Sequence, residues 1–281
     1  MQTLIDYIRK ELTGIYPDRE IRSIEAMIFE HVMNYSRIDF LLKRSEPIPP
    51  QKRKEIEEIV EKLKSHQPIQ YILGVTDFYG LKFKVTPAVL IPRPETEELV
   101  DWILKTNKLP FPFILDIGAG SGCIPVTLKK GIPEAAVSAV DISKEALEIA
   151  TFNSEQHEVF IHLIHADILE WENQEWPSKY DIIVSNPPYV RHLEKEQMKR
   201  NVLEHEPHLA LFVDDDNALI FYRKIIEFSK KHLNLGGQLY FEINEAFGSQ
   251  MIRLLETNGF KEIEMRKDLS GKDRMIRGTW I

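Results

Sequence analysis

The chain has 281 residues, enough for one catalytic domain and a smaller accessory one. A hydrophobic content of 43% with 28% charged residues is ordinary for a globular protein, and a formal net charge of −8 excludes a polycation built to coat phosphate backbones. The single cysteine, Cys123, excludes a disulfide framework and fits a reducing compartment. The nine histidines lack ligand spacing, so no metal site is expected. The amphipathic start lacks the apolar run of a signal peptide, and no apolar stretch is long enough for a membrane span. A cytoplasmic location is therefore expected by elimination.

Residues 1–73 read as a small helical bundle. Leu4, Ile5, Ile8 and Leu12 recur at helical spacing, as do Ile21, Ile24, Ile28 and Val32, then Ile56, Ile59, Val60 and Leu63. Pro47, Pro49 and Pro50 punctuate the gap before the last of these. Residues 74–110 form a second segment. Two alternating runs around Gly80 predict a β-hairpin, and a helix is expected to start near Pro94.

Residues 111–281 alternate apolar strands with amphipathic helices. Strands are predicted at Phe113–Ile117, Val137–Asp141, Phe160–His165, Ile182–Ser185 and Gln238–Ile243. Helices are predicted near 122–130, 144–155, 217–232 and 247–257. Fully apolar strands alternating with helices imply a parallel sheet covered on both faces. Phe260–Met265 and Met275–Trp280 have no helix between them, which predicts a terminal antiparallel hairpin. The expected class is α/β, Rossmann-like, with a mostly parallel seven-stranded sheet and an N-terminal helical bundle.

Two motifs carry chemistry. The first is Asp116-Ile117-Gly118-Ala119-Gly120-Ser121-Gly122, after the first strand of this domain. Glycines there permit a tight turn and close approach of a ligand at the carboxyl end of the sheet. No Gly-Lys-Ser/Thr follows, so it is no nucleotide-triphosphate loop, and its spacing differs from the dinucleotide pattern Gly-x-Gly-x-x-Gly. The acid-then-glycine order resembles motif I of class I S-adenosylmethionine-dependent methyltransferases. Asp141, ending the second strand, is placed either to accept the two hydroxyls of a ribose or to cap the next helix, for which Ser143 is the better cap. Asp167 is placed either to meet an adenine edge, with Ile168 as apolar flank, or to cap a turn.

The second motif is Asn186-Pro187-Pro188-Tyr189, closing the fourth strand. Two prolines fix the backbone and remove two amide donors. The Asn186 side-chain carbonyl and the Pro187 backbone carbonyl then form a two-acceptor clamp for one NH2 group. Such a clamp aligns a delocalised amide or amine nitrogen for attack on a methyl group. Tyr189 is expected to offer an aromatic face to a flat substrate. The motif alone does not separate an amide from a base amine, so adenine-N6 or guanine-N2 methylation of a nucleic acid stays open. Lys195, Lys199 and Arg200 follow it, but Glu194, Glu196 and Glu204 interleave them, as on a solvated helix face.

With both motifs in place the chain resembles the release factor glutamine N5-methyltransferases, the PrmC/HemK family, over nearly its whole length. Pro68–Gly74, Phe78-Tyr79-Gly80, Val89–Glu97, Glu206-Pro207 with Ala210-Leu211, and Asp268–Arg274 carry the resemblance beside the two motifs. It implies S-adenosylmethionine as cofactor, held by Gly118, Ala119, Gly120, Ser121, Gly122, Asp141, Ile168 and Asn186, and Asp167 joins this set from its place at the adenine edge. It implies the glutamine of a release factor's Gly-Gly-Gln loop as acceptor, bound by Asn186, Pro187, Pro188 and Tyr189, with no nucleic-acid substrate. The N-terminal domain is then expected to dock the release factor. Three departures stand out: Pro125 early in the helix after the glycine loop, Ile168 where an aromatic residue is common, and Asn244-Glu245 where a glycine follows the fifth-strand glutamate.

Overall fold

A computed structural model describes residues 1–176 and 179–281, with side chains throughout these except at Arg37 and Gln197. The chain divides into two compact units, Met1–Gly74 with Lys199–His205, and Val75–Met198 with Glu206–Ile281.

The first unit holds helices α1 (Gln2–Leu12), α2 (Asp18–Met33), α3 (Arg37–Leu42), α4 (Pro50–Lys64) and α5 (Ile69–Leu73). The apolar positions at helical spacing are its core: Ile8, Leu12, Ile28, Ile56 and Val60 are each fully or almost fully buried. A Ser36–Asp39 capping box starts α3, and Pro50 stands at the first position of α4. Gly74, in the left-handed region at φ +70°, ends α5. Glu25 is buried within α2 and accepts two hydrogen bonds from Arg9, at 2.7 and 3.0 Å.

The second unit opens with a hairpin of β1 (Val75–Phe78) and β2 (Leu81–Lys84). Tyr79 and Gly80 both take positive φ, +49° and +76°, as a two-residue hairpin turn demands. Tyr79 is held there by α6 (Pro94–Thr106): its N–H donates to Glu97 and its hydroxyl to Asp101. Then follow β3 (Phe113–Ile117), α7 (Cys123–Gly131), β4 (Ala136–Asp141), α8 (Lys144–Gln156), β5 (His162–His165), β6 (Tyr180–Ser185) and β7 (Val190–Arg191). Next come α9 (Arg200–His205), which groups with the first unit, α10 (His208–Leu211), β8 (Phe212–Val213), α11 (Ile220–His232), β9 (Leu233–Glu242), α12 (Gly248–Thr257), β10 (Phe260–Lys267) and β11 (Asp273–Trp280).

Seven of these strands form one sheet in the order β10-β11-β9-β6-β3-β4-β5. Strands β9, β6, β3, β4 and β5 are parallel, and β11 runs antiparallel between β9 and β10. Two apolar clusters cover the sheet, one around Phe228, Tyr222 and Phe241, the other around Trp102, Ile114 and Val126. The chain builds outward from β3 to β4 and β5, then returns to β6 and β9. The switch point therefore lies between β3 and β6, where open parallel sheets place their ligands.

Several boundaries differ from expectation. Strand β5 begins at His162 rather than Phe160, whose side chain is exposed. Strand β9 begins at Leu233 rather than Gln238, because Gly236-Gly237 lie beside a register irregularity and do not break it. Asp215–Asn217 form a separate 3-10 turn, so α11 starts at Ile220. Pro125 is accommodated in the first turn of α7, where its missing N–H costs no helical bond.

Candidate active site

The two motifs meet at the switch point. Ile117 and Ser185, the last residues of β3 and β6, are register partners, and the Ser185 hydroxyl donates to the Ile117 carbonyl at 2.6 Å. The loops that follow them, Gly118–Gly122 and Asn186–Tyr189, thus start side by side although 68 residues separate their strands. Gly118, Gly120 and Gly122 all take positive φ. At Gly122 a Cβ would lie 3.1 Å from the Ala150 Cβ of α8, so glycine also sets how closely α7 and α8 pack.

A cleft of about 490 Å³ opens here, within the roughly 300–1,000 Å³ of small-molecule sites. Gly118, Ala119, Gly120, Ser121, Asp141, Asp167, Ile168, Asn186, Pro187 and Pro188 line it. Gly122 and Tyr189 do not; the first shapes the loop and the second is turned elsewhere. Cys123 also lines the cleft, but burial pushes its thiol up to about 12, so it carries no thiolate at neutral pH.

Asp141 accepts the Gly120 N–H on one oxygen, at 2.8 Å, and the Ser143 N–H on the other, at 2.9 Å. It does not cap α8; the Ser143 hydroxyl does, accepting from Ala146 N–H. Each Asp141 oxygen keeps a further lone pair. Asp167 caps the turn after β5 through Oδ1, which accepts the Leu169 N–H at 2.8 Å. Its Oδ2 has no hydrogen-bond partner among the described residues, and Ile168 stands beside it on the cleft wall. Asp116 of β3 is fully buried with neither oxygen partnered among the described residues. Desolvation raises its carboxyl well above the ordinary range, and the charge of Asp141 adds to this.

The Asn186 Nδ2 donates to Thr96 Oγ1 at 3.2 Å. Thr96 Oγ1 in turn donates to Glu242 Oε2 at 2.6 Å, and the Tyr189 hydroxyl donates to Glu242 Oε1 at 3.0 Å. Among the described residues, no donor reaches Asn186 Oδ1 or the Pro187 carbonyl. Both expected clamp acceptors are therefore free beside the cleft. The Tyr189 hydroxyl finds the buried carboxylate, and its ring packs on the larger core. Glu242 is 1% exposed; burial raises its carboxyl, against the pull of Thr96, Tyr189 and Arg274.

Two further ties hold the surrounding segments. Glu206, also buried, accepts Arg93 Nη2 at 2.6 Å and the Ile91 N–H at 3.2 Å, joining the Ile91–Arg93 segment to Glu206-Pro207. Asp268 accepts N–H groups of Ser270 and Lys272 and, at 3.2 Å, Arg274 Nε; Arg274 Nη1 donates to the Ile243 carbonyl. Thr96, Glu242 and Arg274 had no assigned role from the sequence. The one local signal was an acid, Glu242, directly after the apolar run Leu239-Tyr240-Phe241.

Comparison with known proteins places these features in a family. The family described as PrmC N-terminal domain matches residues 3–74, and the one described as methyltransferase small domain matches residues 97–210. A release factor glutamine methyltransferase of Flavobacterium psychrophilum is 48% identical over 95% of this chain and 94% of its own. A solved methyltransferase from Pyrococcus furiosus shares the fold at a TM-score of 0.53 and 17% identity, over 82% of this chain and 99% of its own. The Thermus thermophilus 16S rRNA N2 G1207 methyltransferase, solved with AdoMet and guanosine, gives 0.53 and 17% over 74% of this chain and 50% of its own. The fold is that of a class I methyltransferase, and the chain belongs to the release factor glutamine methyltransferase family.

Proposed function

We propose that this chain transfers a methyl group from S-adenosylmethionine to the side-chain amide nitrogen of the glutamine in a release factor's Gly-Gly-Gln loop. The observation that carries this reading is the pair of free acceptors, Asn186 Oδ1 and the Pro187 carbonyl, beside the cleft at the switch point.

The cleft suits the cofactor. Asp141 is fixed by two backbone N–H groups and keeps lone pairs for two hydroxyl donors. The free Oδ2 of Asp167 and the apolar flank of Ile168 suit an adenine. The Gly118–Gly122 loop brings backbone close to the remaining part. When bound, S-adenosylmethionine supplies an electrophilic methyl on a positively charged sulfur.

The chain's own residues address the poor nucleophilicity of an amide nitrogen. Asn186 Oδ1 and the Pro187 carbonyl accept both N–H bonds of the glutamine amide and aim its nitrogen. Positioning of this kind is worth roughly 7–11 kcal/mol in well-oriented reactions. The new N–C bond forms as the S–C bond breaks. The nitrogen takes on positive charge, which the two acceptors stabilise, and then releases its proton to solvent.

A protein substrate is favoured over nucleic acid. The cations after the motif are engaged: Arg200 pairs with Glu204 at 2.6 Å, Lys199 with Glu20 at 3.3 Å, and Lys195 lies over Phe212. No helix among the described residues is long and apolar enough to cross a membrane. We assign residues 1–73 to docking the release factor, and the cytoplasm as the site of action.

The test is transfer of label from S-adenosylmethionine to release factors. Asn186→Ala should lower kcat by about 10²–10³-fold, the scale for one preorganised partner in a transition state, and leave the melting curve in place. Labelling of RNA or DNA but not of release factors would overturn the reading.

A further inference from the structure

The free clamp acceptor raises a question of polarity. A side-chain amide presents either its carbonyl or its NH2 to the cleft, and only the carbonyl can hold a substrate NH2. We propose that Thr96 and Glu242 act as positioning residues that lock the Asn186 amide with its carbonyl oxygen toward the cleft. This rests on the clamp function proposed above.

An ionised carboxylate only accepts hydrogen bonds. Glu242 Oε2 therefore takes the single hydroxyl proton of Thr96, at 2.6 Å. Thr96 Oγ1 is left with lone pairs alone, and the group it meets must be a donor. Asn186 Nδ2 is that donor, at 3.2 Å. Turning the amide over would set Asn186 Oδ1 against an oxygen with no proton left to give. Tyr189 fixes the other end of the carboxylate by donating to Oε1.

Glu242 is almost fully buried, so its charge needs compensation. The positive charge of Arg274 on β11 offsets part of that cost, although burial still dominates, and Arg274 is itself ion-paired with Asp268 and donates to the Ile243 carbonyl. This gives a shared purpose to three segments that the sequence left without one: Pro94–Glu97, Glu242–Glu245 and Asp268–Arg274.

The experiment compares Thr96→Val with Thr96→Ser in the full chain, using S-adenosylmethionine and an intact release factor. Valine keeps the shape of threonine and removes the relay; serine keeps the hydroxyl. Thr96→Val should lose about 10²-fold in kcat, the scale of a misaligned reacting group, with cofactor affinity and KM nearly unchanged. Thr96→Ser should retain most of the wild-type kcat. Wild-type kcat in Thr96→Val, or loss in Thr96→Ser alone, overturns the relay and leaves the methyltransferase reading standing. A wild-type chain that labels no release factor sinks both. Should Thr96→Val fail to fold, side-chain labelling of Asn186 in the wild-type chain reads the same point. A slowly exchanging Asn186 NH2 proton supports the relay, and two freely exchanging ones overturn it.

Discussion

At the scale of single residues, the chemistry of the clamp depends on the charge of one buried acid. Glu242 faces Thr96 and Glu95 from α6, Tyr189 from the loop after β6, Tyr222 from α11 and Arg274 from β11. Desolvation is the largest influence and raises its carboxyl above the ordinary 4.5. The folded chain therefore takes up this proton at a higher pH than the unfolded chain. Protonation lets Glu242 donate to Thr96, which reverses the run of donors and turns the Asn186 NH2 toward the cleft. Methyl transfer should accordingly fall on the acid side with a midpoint above 4.5, measured as kcat against pH at saturating substrate. Activity that stays flat down to 4.5 would refute this dependence. The sign for stability is opposite: a raised acid favours the folded state at low pH, and that contribution fades as pH rises from 4.5 through the folded-state value.

At the scale of elements, the loop after β3 is where backbone conformation and packing agree most closely. Gly122 combines a φ of +78° with a Cβ position 3.1 Å from Ala150. Gly122→Ala should cost about 1–2 kcal/mol from the left-handed conformation alone. That corresponds to a fall in Tm of about 2–8 °C for a chain of this size, with weaker cofactor binding. An unchanged Tm would show that α7 and α8 yield at this contact. The same loop shows what could be read from sequence. Gly118–Gly122 and Asn186–Pro188 are contiguous motifs at strand ends, and their meeting follows from strand order, so both were legible. The relay was not. Thr96 and Glu242 lie 146 residues apart, and Asn186 and Thr96 lie 90 apart. No local spacing records which hydroxyl a buried carboxylate will find. The tie from Tyr189 to Glu242 was hidden for the same reason, since nothing local to an aromatic residue beside such a motif names its hydroxyl partner. Strand β9 shows the converse limit: it starts at Leu233, ahead of the Gln238 expected, because the ladder absorbs Gly236-Gly237 beside a register irregularity.

At the scale of the whole molecule, two units divide the proposed work. The second holds the cleft and the clamp; the first carries an unusual surface. Ile38, Leu41 and Leu42 of α3 are 68%, 62% and 76% exposed. Under the docking role assigned to residues 1–73, this helix is the natural contact for a release factor. The double substitution Leu41→Glu with Leu42→Glu should raise KM for an intact release factor by about tenfold, equivalent to 1.4 kcal/mol of lost binding. Turnover of a short Gly-Gly-Gln peptide should be unaffected. Equal KM values for the intact factor in mutant and wild type would move docking to another face.

The position of β11 in the sheet has a consequence for how the molecule is made. It is later in the chain than β10 yet lies between β10 and β9. During vectorial synthesis the parallel strands β3, β4, β5, β6 and β9 all emerge before it, and β10 emerges with no neighbour to join. Until β11 inserts, β9 is an open edge and Glu242 lacks the nearby positive charge of Arg274. A nascent chain can thus assemble its glycine loop and its Asn-Pro-Pro turn early, but the charge balance that orients Asn186 waits on the strand that completes the sheet.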